Sequence, residues 1–264
     1  MNTAISRGGL LAALLVLAAA AVAPAAAQGG KITVFAAASL REAYEAAAPS
    51  FTRRTGTAVA FNFAGSDTLA TQIVQGAPAD VFAAANEAQM KRVSDAGLTA
   101  GAPRVFARNR LVLIVPKGNP GRVTGLAQLA RPGLKLVLAA ATVPVGGYAR
   151  DAFKKLAGQG GYSADFAAAV EKNVVSNELD VKAVTTKVAL GEGDAGIVYS
   201  TDVTQELAPR VAVIAFPPGI SPDAAYPIAV VKNATSASAA AAFVEFVLSS
   251  EGQSFLKARG FLAP

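Results

Sequence analysis

The chain has 264 residues, 53% of them hydrophobic, a formal net charge of +6, and neither histidine nor cysteine. That length fits one or two compact domains with a sizeable core. The missing residue types exclude disulfides, a lipid-bearing cysteine, zinc sites with imidazole or thiolate ligands, and the Ser-His-Asp and Cys-His nucleophiles.

Residues 1–27 hold one cation, Arg7, then the apolar run GLLAALLVLAAAAV and the small-residue ending APAAA. This reads as a signal peptide cleaved after Ala27. As a membrane anchor the run is short, and it gives way to Pro24. The mature chain is expected to be exported and free in the periplasm. It keeps 23 of the 24 cationic residues against 18 carboxylates, a net +5. Its basic residues are dispersed in pairs such as Arg53-Arg54, Lys91-Arg92 and Lys154-Lys155. That is solvated surface with a weak attraction for anions, not a nucleic-acid patch.

Further along, short apolar runs alternate with helical patterns. Strands are expected at 32–35, 58–63, 81–84, 111–115, 134–138, 195–199, 211–216 and 228–231, and helices at 40–48, 68–75, 87–96, 147–156, 181–190 and 238–257. Such alternation indicates an α/β fold with mainly parallel sheets, whose ligands sit beyond the carboxyl ends of the strands.

The first of these ends is FAAASLREAY, 35–44, where Ser39 stands before a helix with the apolar face Leu40, Ala43, Tyr44 and Ala47. Ser39 reads as its N-cap. The small residues before it let an object approach the backbone, and a helix start favours a negative one. FAGSDTLATQI, 63–73, repeats the design with Gly65 and Ser66. Capping and an oxyanion site both remain open for the two serines. Asp165, Glu171, Glu178 and Asp180 read as solvated helix surface. With no paired-carboxylate motif for acid–base work and no histidine or cysteine, no enzyme is expected.

The segments VFAAASL, FAGSDTLATQI with GAPADVFAAAN, VPVGGYA and GEGDAGIVYSTD stand in the order and spacing typical of periplasmic molybdate-binding proteins, the solute receptors of molybdate ABC importers. The chain resembles that family from Lys31 to the closing FVLSSEGQSFLKARGF. The resemblance implies a type II periplasmic-binding-protein fold, two α/β lobes with the ligand in the cleft between them. Lobe one would hold 31–109 plus 228–264 and lobe two 116–225, with crossovers near 110–116 and 225–231. The effector domain of a transcription regulator is a related possibility, but an export signal stands where its helix-turn-helix would be.

The resemblance further implies a monomer that captures molybdate or tungstate for a permease. The ion would be held by Ser39 and Ser66 through hydroxyl and backbone N–H, by the backbone N–H of Val145 and Val181, and by the Tyr199 hydroxyl. No cofactor and no direct metal ligand is implied; these residues meet the metal only through the oxyanion oxygens. Without the resemblance, Val145 and Val181 read as core packing and Tyr199 as the cap of a buried strand. A shell of neutral donors needs no lysine or arginine, and it leaves the proton of hydrogen phosphate unpaired. Sulfate or phosphate is the alternative ligand, and an exported hydrolase a more distant one. Asp67 departs from the family pattern, which has a small hydroxyl residue after the second serine. It is expected to complement the helix dipole while pointing at solvent.

Overall fold

A computed structural model describes Met1 and residues 30–264. The expected signal peptide, 1–27 with cleavage after Ala27, lies outside the described residues. From residue 30 the chain runs through β1 (Lys31–Ala37), a 3₁₀ turn (Ala38–Leu40), α1 (Arg41–Thr55), β2 (Ala58–Ala64), α2 (Ser66–Val74), β3 (Val81–Ala83), α3 (Glu87–Asp95) and β4 (Arg104–Asn109). A second unit follows with β5 (Leu111–Pro116), a 3₁₀ turn (Leu126–Ala130), β6 (Leu136–Ala139), α4 (Pro144–Leu156), α5 (Phe166–Glu171), β7 (Val174–Glu178), α6 (Val181–Ala189), β8 (Ala195–Tyr199), a 3₁₀ turn (Ser200–Asp202) and β9 (Val211–Ala215). The chain closes with β10 (Ala224–Val230), α7 (Ala237–Leu248) and α8 (Ser250–Ala258).

The strands form two five-stranded sheets, ordered β2-β1-β3-β10-β4 and β7-β6-β8-β5-β9. Each is the centre of one lobe, and the two orders correspond strand for strand. In both, the strand arriving from the other lobe takes the fourth place and runs against its neighbours: β10 is antiparallel to β3 and β4, and β5 to β8 and β9. The other pairings are parallel. The sheets are therefore mixed and not mainly parallel, because a strand that crosses between lobes enters from the opposite end.

The chain passes from the first sheet to the second at Arg110, between β4 and β5. It returns over residues 216–223, FPPGISPD, and enters the first sheet as β10. Residues Ala224 to Ile228 already pair with β4, from Asn109 to Arg104. The prolines before them lack the N–H groups that a ladder needs, so the crossing falls there.

Helices cover the sheets through faces that their spacing prescribes. In α1, Ala43, Tyr44, Ala47 and Phe51 are buried, and the helix ends at Gly56 in a left-handed conformation, φ 71°. Tyr44 and Phe51 meet Phe243 of α7 edge-on at 5.7 and 5.2 Å. These contacts bind the C-terminal helices to lobe one. The single helix expected at 238–257 is broken at Ser249, whose hydroxyl accepts from the Gly252 N–H and starts α8 anew. Strands β4 and β7 and helix α5 were not expected: the charged residues of RVFARN and the polar ones of VVSNE hide their alternation.

Asp80 ties lobe one together. Its carboxylate accepts from the Thr33 N–H of β1 at 2.7 Å, and from the Thr235 N–H and hydroxyl at 2.6 and 2.8 Å, just before α7. Burial pushes this carboxyl up, but the hydrogen bonds from Thr33, Thr235 and Ser236 together hold it below its ordinary value. Asp80→Asn is expected to remove roughly 2 to 3 kcal/mol, since bonds to a charged group contribute about 1.5–3 kcal/mol. The advantage of the wild-type residue should be fully present above pH about 4 and be lost as the pH falls below it, because the native carboxyl holds its proton less tightly than the unfolded one. Thermal melting of both proteins from pH 3 to 7 checks this; a constant difference across that range would contradict it.

Candidate functional site

The carboxyl ends of β1 and β2 face those of β6, β7 and β8 across the gap between the lobes. A small cavity of about 20 Å³ lies there, lined by 37–39, 64–66 and Ala85 from lobe one and by 143–145, Asp180, Val181 and Tyr199 from lobe two. The five residues implied by the resemblance, Ser39, Ser66, Val145, Val181 and Tyr199, all lie on its wall. Cavities for drug-sized molecules run to about 300–1,000 Å³. This one suits something smaller.

Capping was one of the two readings left open for the serines, and neither residue acts as an N-cap. Ser39 lies inside the 3₁₀ turn, and the N-caps of that turn and of α1 make no side-chain bond. Ser66 is the first residue of α2, whose N-cap is Gly65. Ser66 Oγ accepts from the Ala85 N–H at 3.0 Å. A backbone N–H can only donate, so the Ser66 hydroxyl proton remains free.

A longer chain of bonds reaches the same result at Ser39. The Arg110 N–H donates to Asn109 Oδ1 at 2.9 Å, which fixes the amide orientation. Asn109 Nδ2 then donates to Thr201 Oγ1 at 2.8 Å and to Tyr226 Oη at 3.3 Å. Tyr226 Oη lies 2.9 Å from Ser39 Oγ. Either oxygen of this pair can donate; with Tyr226 already accepting from Asn109, its proton is available to Ser39, and in that arrangement the Ser39 proton is left for the cavity. Tyr226 and Asn109 lie 117 residues apart, and only the folded hinge brings them together.

Tyr199 is fully buried, and its Oη has no hydrogen-bond partner. Burial pushes its phenol well above the ordinary value, so it stays a protonated donor. Backbone donors join these three hydroxyls. Helices α2 and α4 begin at Gly65 and Val143 without a capping side chain, and α4 has Pro144 in its first turn. Their first N–H groups have no partner inside the helix. In α4 this start is seated directly on the end of β6: a Cβ on Gly146 would lie 2.1 Å from the Ala140 carbonyl oxygen. In α6, Asp180 accepts from the Ala183 N–H at 3.0 Å, leaving the Val181 N–H.

Donors without acceptors, at helix starts in a small cavity whose lining includes no lysine or arginine, are the chemistry that suits an anion. Asp180 is the one charged residue on the wall, and its role as a cap shows that it is not the solvated surface it was expected to be. Glu178, expected to be equally exposed, bonds Lys187 at 2.7 Å. Asp67 differs from expectation too. It is half-buried; its Oδ2 accepts from Thr142 Oγ1 of lobe two at 2.7 Å, while Oδ1 is buried without a partner. Among the described residues no three carboxylates converge on a metal site. The one Ser-x-x-Lys spacing, Ser254 to Lys257 in α8, has its hydroxyl bonded to the Glu251 carbonyl on exposed surface.

Behind Tyr199 lies Asp202, fully buried, with Oδ2 accepting from the Tyr199 N–H and Oδ1 3.2 Å from Lys182 Nζ. Sequence reasoning missed it, since nothing local separates it from a surface aspartate.

The family described as bacterial extracellular solute-binding protein matches residues 32–262. The molybdate-binding protein ModA of Mycobacterium bovis is 40% identical over 239 residues, 90% of this chain and 87% of that one. The periplasmic molybdate-binding protein of Azotobacter vinelandii superposes with a TM-score of 0.75 at 22% identity, over 88% of this chain and 99% of its own. The sulfate-binding protein SubI of Mycobacterium tuberculosis does so with 0.79 at 22%, over 88% and 86%. At this identity the two structures speak to the fold, the two-lobed α/β architecture that all three chains share.

Burial pushes the Asp202 carboxyl up to about 6, against the pull of the Lys182 ammonium and the Tyr199 N–H. The native state therefore binds a proton between pH about 4 and 6 that the unfolded chain has released, and the stability that Asp202 contributes is full below that window and falls as the pH rises through it. The stability of the wild type relative to Asp202→Asn is expected to be greatest near pH 4 and to shrink towards pH 7. Parallel melting-temperature curves for the two proteins would refute this.

Proposed function

We propose that this chain, which belongs to the bacterial extracellular solute-binding proteins, captures molybdate or tungstate outside the cytoplasm and delivers it to the permease of an ABC importer. The observation that carries the reading is the convergence of hydroxyl and N–H donors without acceptors on a cavity too small for an organic ligand of drug size. The 40% identity to a molybdate-binding protein over 90% of the chain supports the choice among oxyanions. The protein acts as a monomer and as a receptor, without catalysis, and its signal peptide ends at Ala27.

In this reading Ser39 and Ser66 bind the ion from lobe one, and the Val145 and Val181 N–H groups and the Tyr199 hydroxyl bind it from lobe two. Size does the selecting. A tetrahedral ion of the right radius meets donors from both lobes at hydrogen-bond distance, whereas a smaller one leaves some of them unmatched and desolvated. Sulfate is the competitor to test first, since the sulfate-binding fold superposes well. Hydrogen phosphate carries a proton, and Asp180 is the one carboxylate on the wall that stands near enough to matter.

Calorimetry of the mature protein with molybdate, tungstate, sulfate and phosphate in turn is expected to give one site for the first two and weak or no heat for the others. Ser39→Ala, Ser66→Ala and Tyr199→Phe should each weaken molybdate binding about ten-fold or more, from a lost charged hydrogen bond of roughly 1.5–3 kcal/mol. Heat from sulfate alone would reassign the ligand. Unchanged affinity in all three variants would take these residues out of the site.

Gly65 offers a test of closure. Its backbone, φ −58° and ψ 138°, suits any residue, yet an added Cβ would lie 2.4 Å from the Leu179 carbonyl oxygen of the other lobe. Gly65→Ala is expected to fold normally, to lose at least ten-fold in molybdate affinity, and to keep a larger scattering radius than the wild type at saturating ligand. An affinity equal to that of the wild type would show that the lobes do not close at this point.

A further inference from the structure

Two hydrogen-bonded contacts join the lobes on either side of the cavity. In the first, Lys182 Nζ of lobe two donates to both carboxylate oxygens of Glu42 in α1, each at 2.8 Å. The pair is largely shielded, with side-chain exposures of 21% and 31%. In the second, Thr142 Oγ1 donates to Asp67 Oδ2 at 2.7 Å, while Gln89 Nε2 of lobe one donates to the Thr142 carbonyl at 3.1 Å.

The positions of these residues are informative. Glu42 follows Ser39 by three residues, and Lys182 follows Val181 directly. Asp67 follows Ser66 directly, and Thr142 precedes Val145 by three. Each contact therefore joins a wall residue of lobe one to a wall residue of lobe two through the same short stretch of backbone. Parting the lobes would leave Lys182 with Asp202, its neighbour in lobe two, whereas Glu42 and Asp67 would lose the partners described.

We propose that Glu42–Lys182 and Asp67–Thr142 are paired clasps that hold the cleft closed and set how tightly the ion is retained, without touching it. The proposal rests on the cleft being the ligand site. A ligand that fits only the closed form has an apparent affinity scaled by the closed fraction, so a clasp tightens every ligand of the cleft equally. Residues of the wall, by contrast, discriminate among ions. The clasps give the Asp67 carboxylate a role: it is spent on the other lobe, at the rim and not on the cavity wall.

The test uses Glu42→Gln, Thr142→Val and the double variant, all at partly or fully exposed positions, with Lys182→Arg as a conservative control that preserves the ion pair. Each single variant is expected to weaken molybdate and tungstate by the same factor, roughly three- to ten-fold for one partly exposed charged contact, and the double by about the product. The melting temperature of the ligand-free protein should stay within a few degrees. Raised salt should weaken the wild type more than Glu42→Gln, because the ion pair is what the salt screens. Lys182→Arg should stay within about two-fold of the wild type.

Wild-type affinity in the double variant would overturn the clasps while leaving the ligand reading intact, and so would a loss that differs between the two oxyanions. If the wild type bound none of the four oxyanions, the ligand reading would fail by itself. The scattering radius without ligand would then decide the clasps: a larger radius in the double variant supports them, and equal radii overturn them.

Discussion

The fold is organised around hydrogen-bond donors that nothing in the protein accepts. A helix start buried without a cap is ordinarily unfavourable, because its first N–H groups lose water and gain nothing. Here α2 and α4 begin that way on the wall of one cavity, with the Val181 N–H of α6 beside them, and the three hydroxyls nearby have their acceptor sides filled or their protons unclaimed. Such an arrangement persists only where an acceptor is to arrive. The small residues AAAS and FAGS follow from the same constraint: any larger side chain would stand between backbone and ligand.

The topology brings these helix starts face to face. Each sheet places its crossing strand fourth and antiparallel, so that the remaining strands of both lobes point their carboxyl ends at the common gap. The hinge is a working part of the site as well as a connection. Asn109, the last residue of β4, bonds Tyr226 of β10 and Thr201 of lobe two, and through Tyr226 it orients the Ser39 hydroxyl. A change at the hinge is thereby transmitted to a wall residue through two hydrogen bonds.

What the sequence disclosed follows the range of the interactions concerned. The strand-to-helix junctions at Ser39 and Ser66 were legible because small residues, a serine and an apolar helical face are contiguous. Tyr199, Val145 and Val181 became candidates only through a resemblance, since an N–H donor has no residue type of its own. Asn109, Tyr226, Lys182 and Asp202 went unnoticed because each has partners lying from 20 to 187 residues away. The exact start of the return strand was hidden for a related reason: only the pairing of Ala224 with Asn109 fixes where β10 joins the first sheet. Glu178 and Asp180 looked like surface because a charge gives no sign, in sequence, of having its donor close by.

Four carboxylates, those of Glu42, Asp67, Asp180 and Asp202, surround a cavity that suits an anion, and each is engaged by a donor: Lys182 for the first and last, Thr142 for Asp67, the Ala183 N–H for Asp180. No lysine or arginine lines the wall to offset them. The chain's net charge of +6 therefore has little expression at the site, and at physiological salt charges beyond about 8 Å are screened in any case. What holds an oxyanion there is short-range donation, which depends on distances of a few tenths of an ångström and so on the ion's size. Ions of equal charge then differ by fit alone. Because the donors come from both lobes, that fit exists only when the lobes meet, and recognition and closure become a single event.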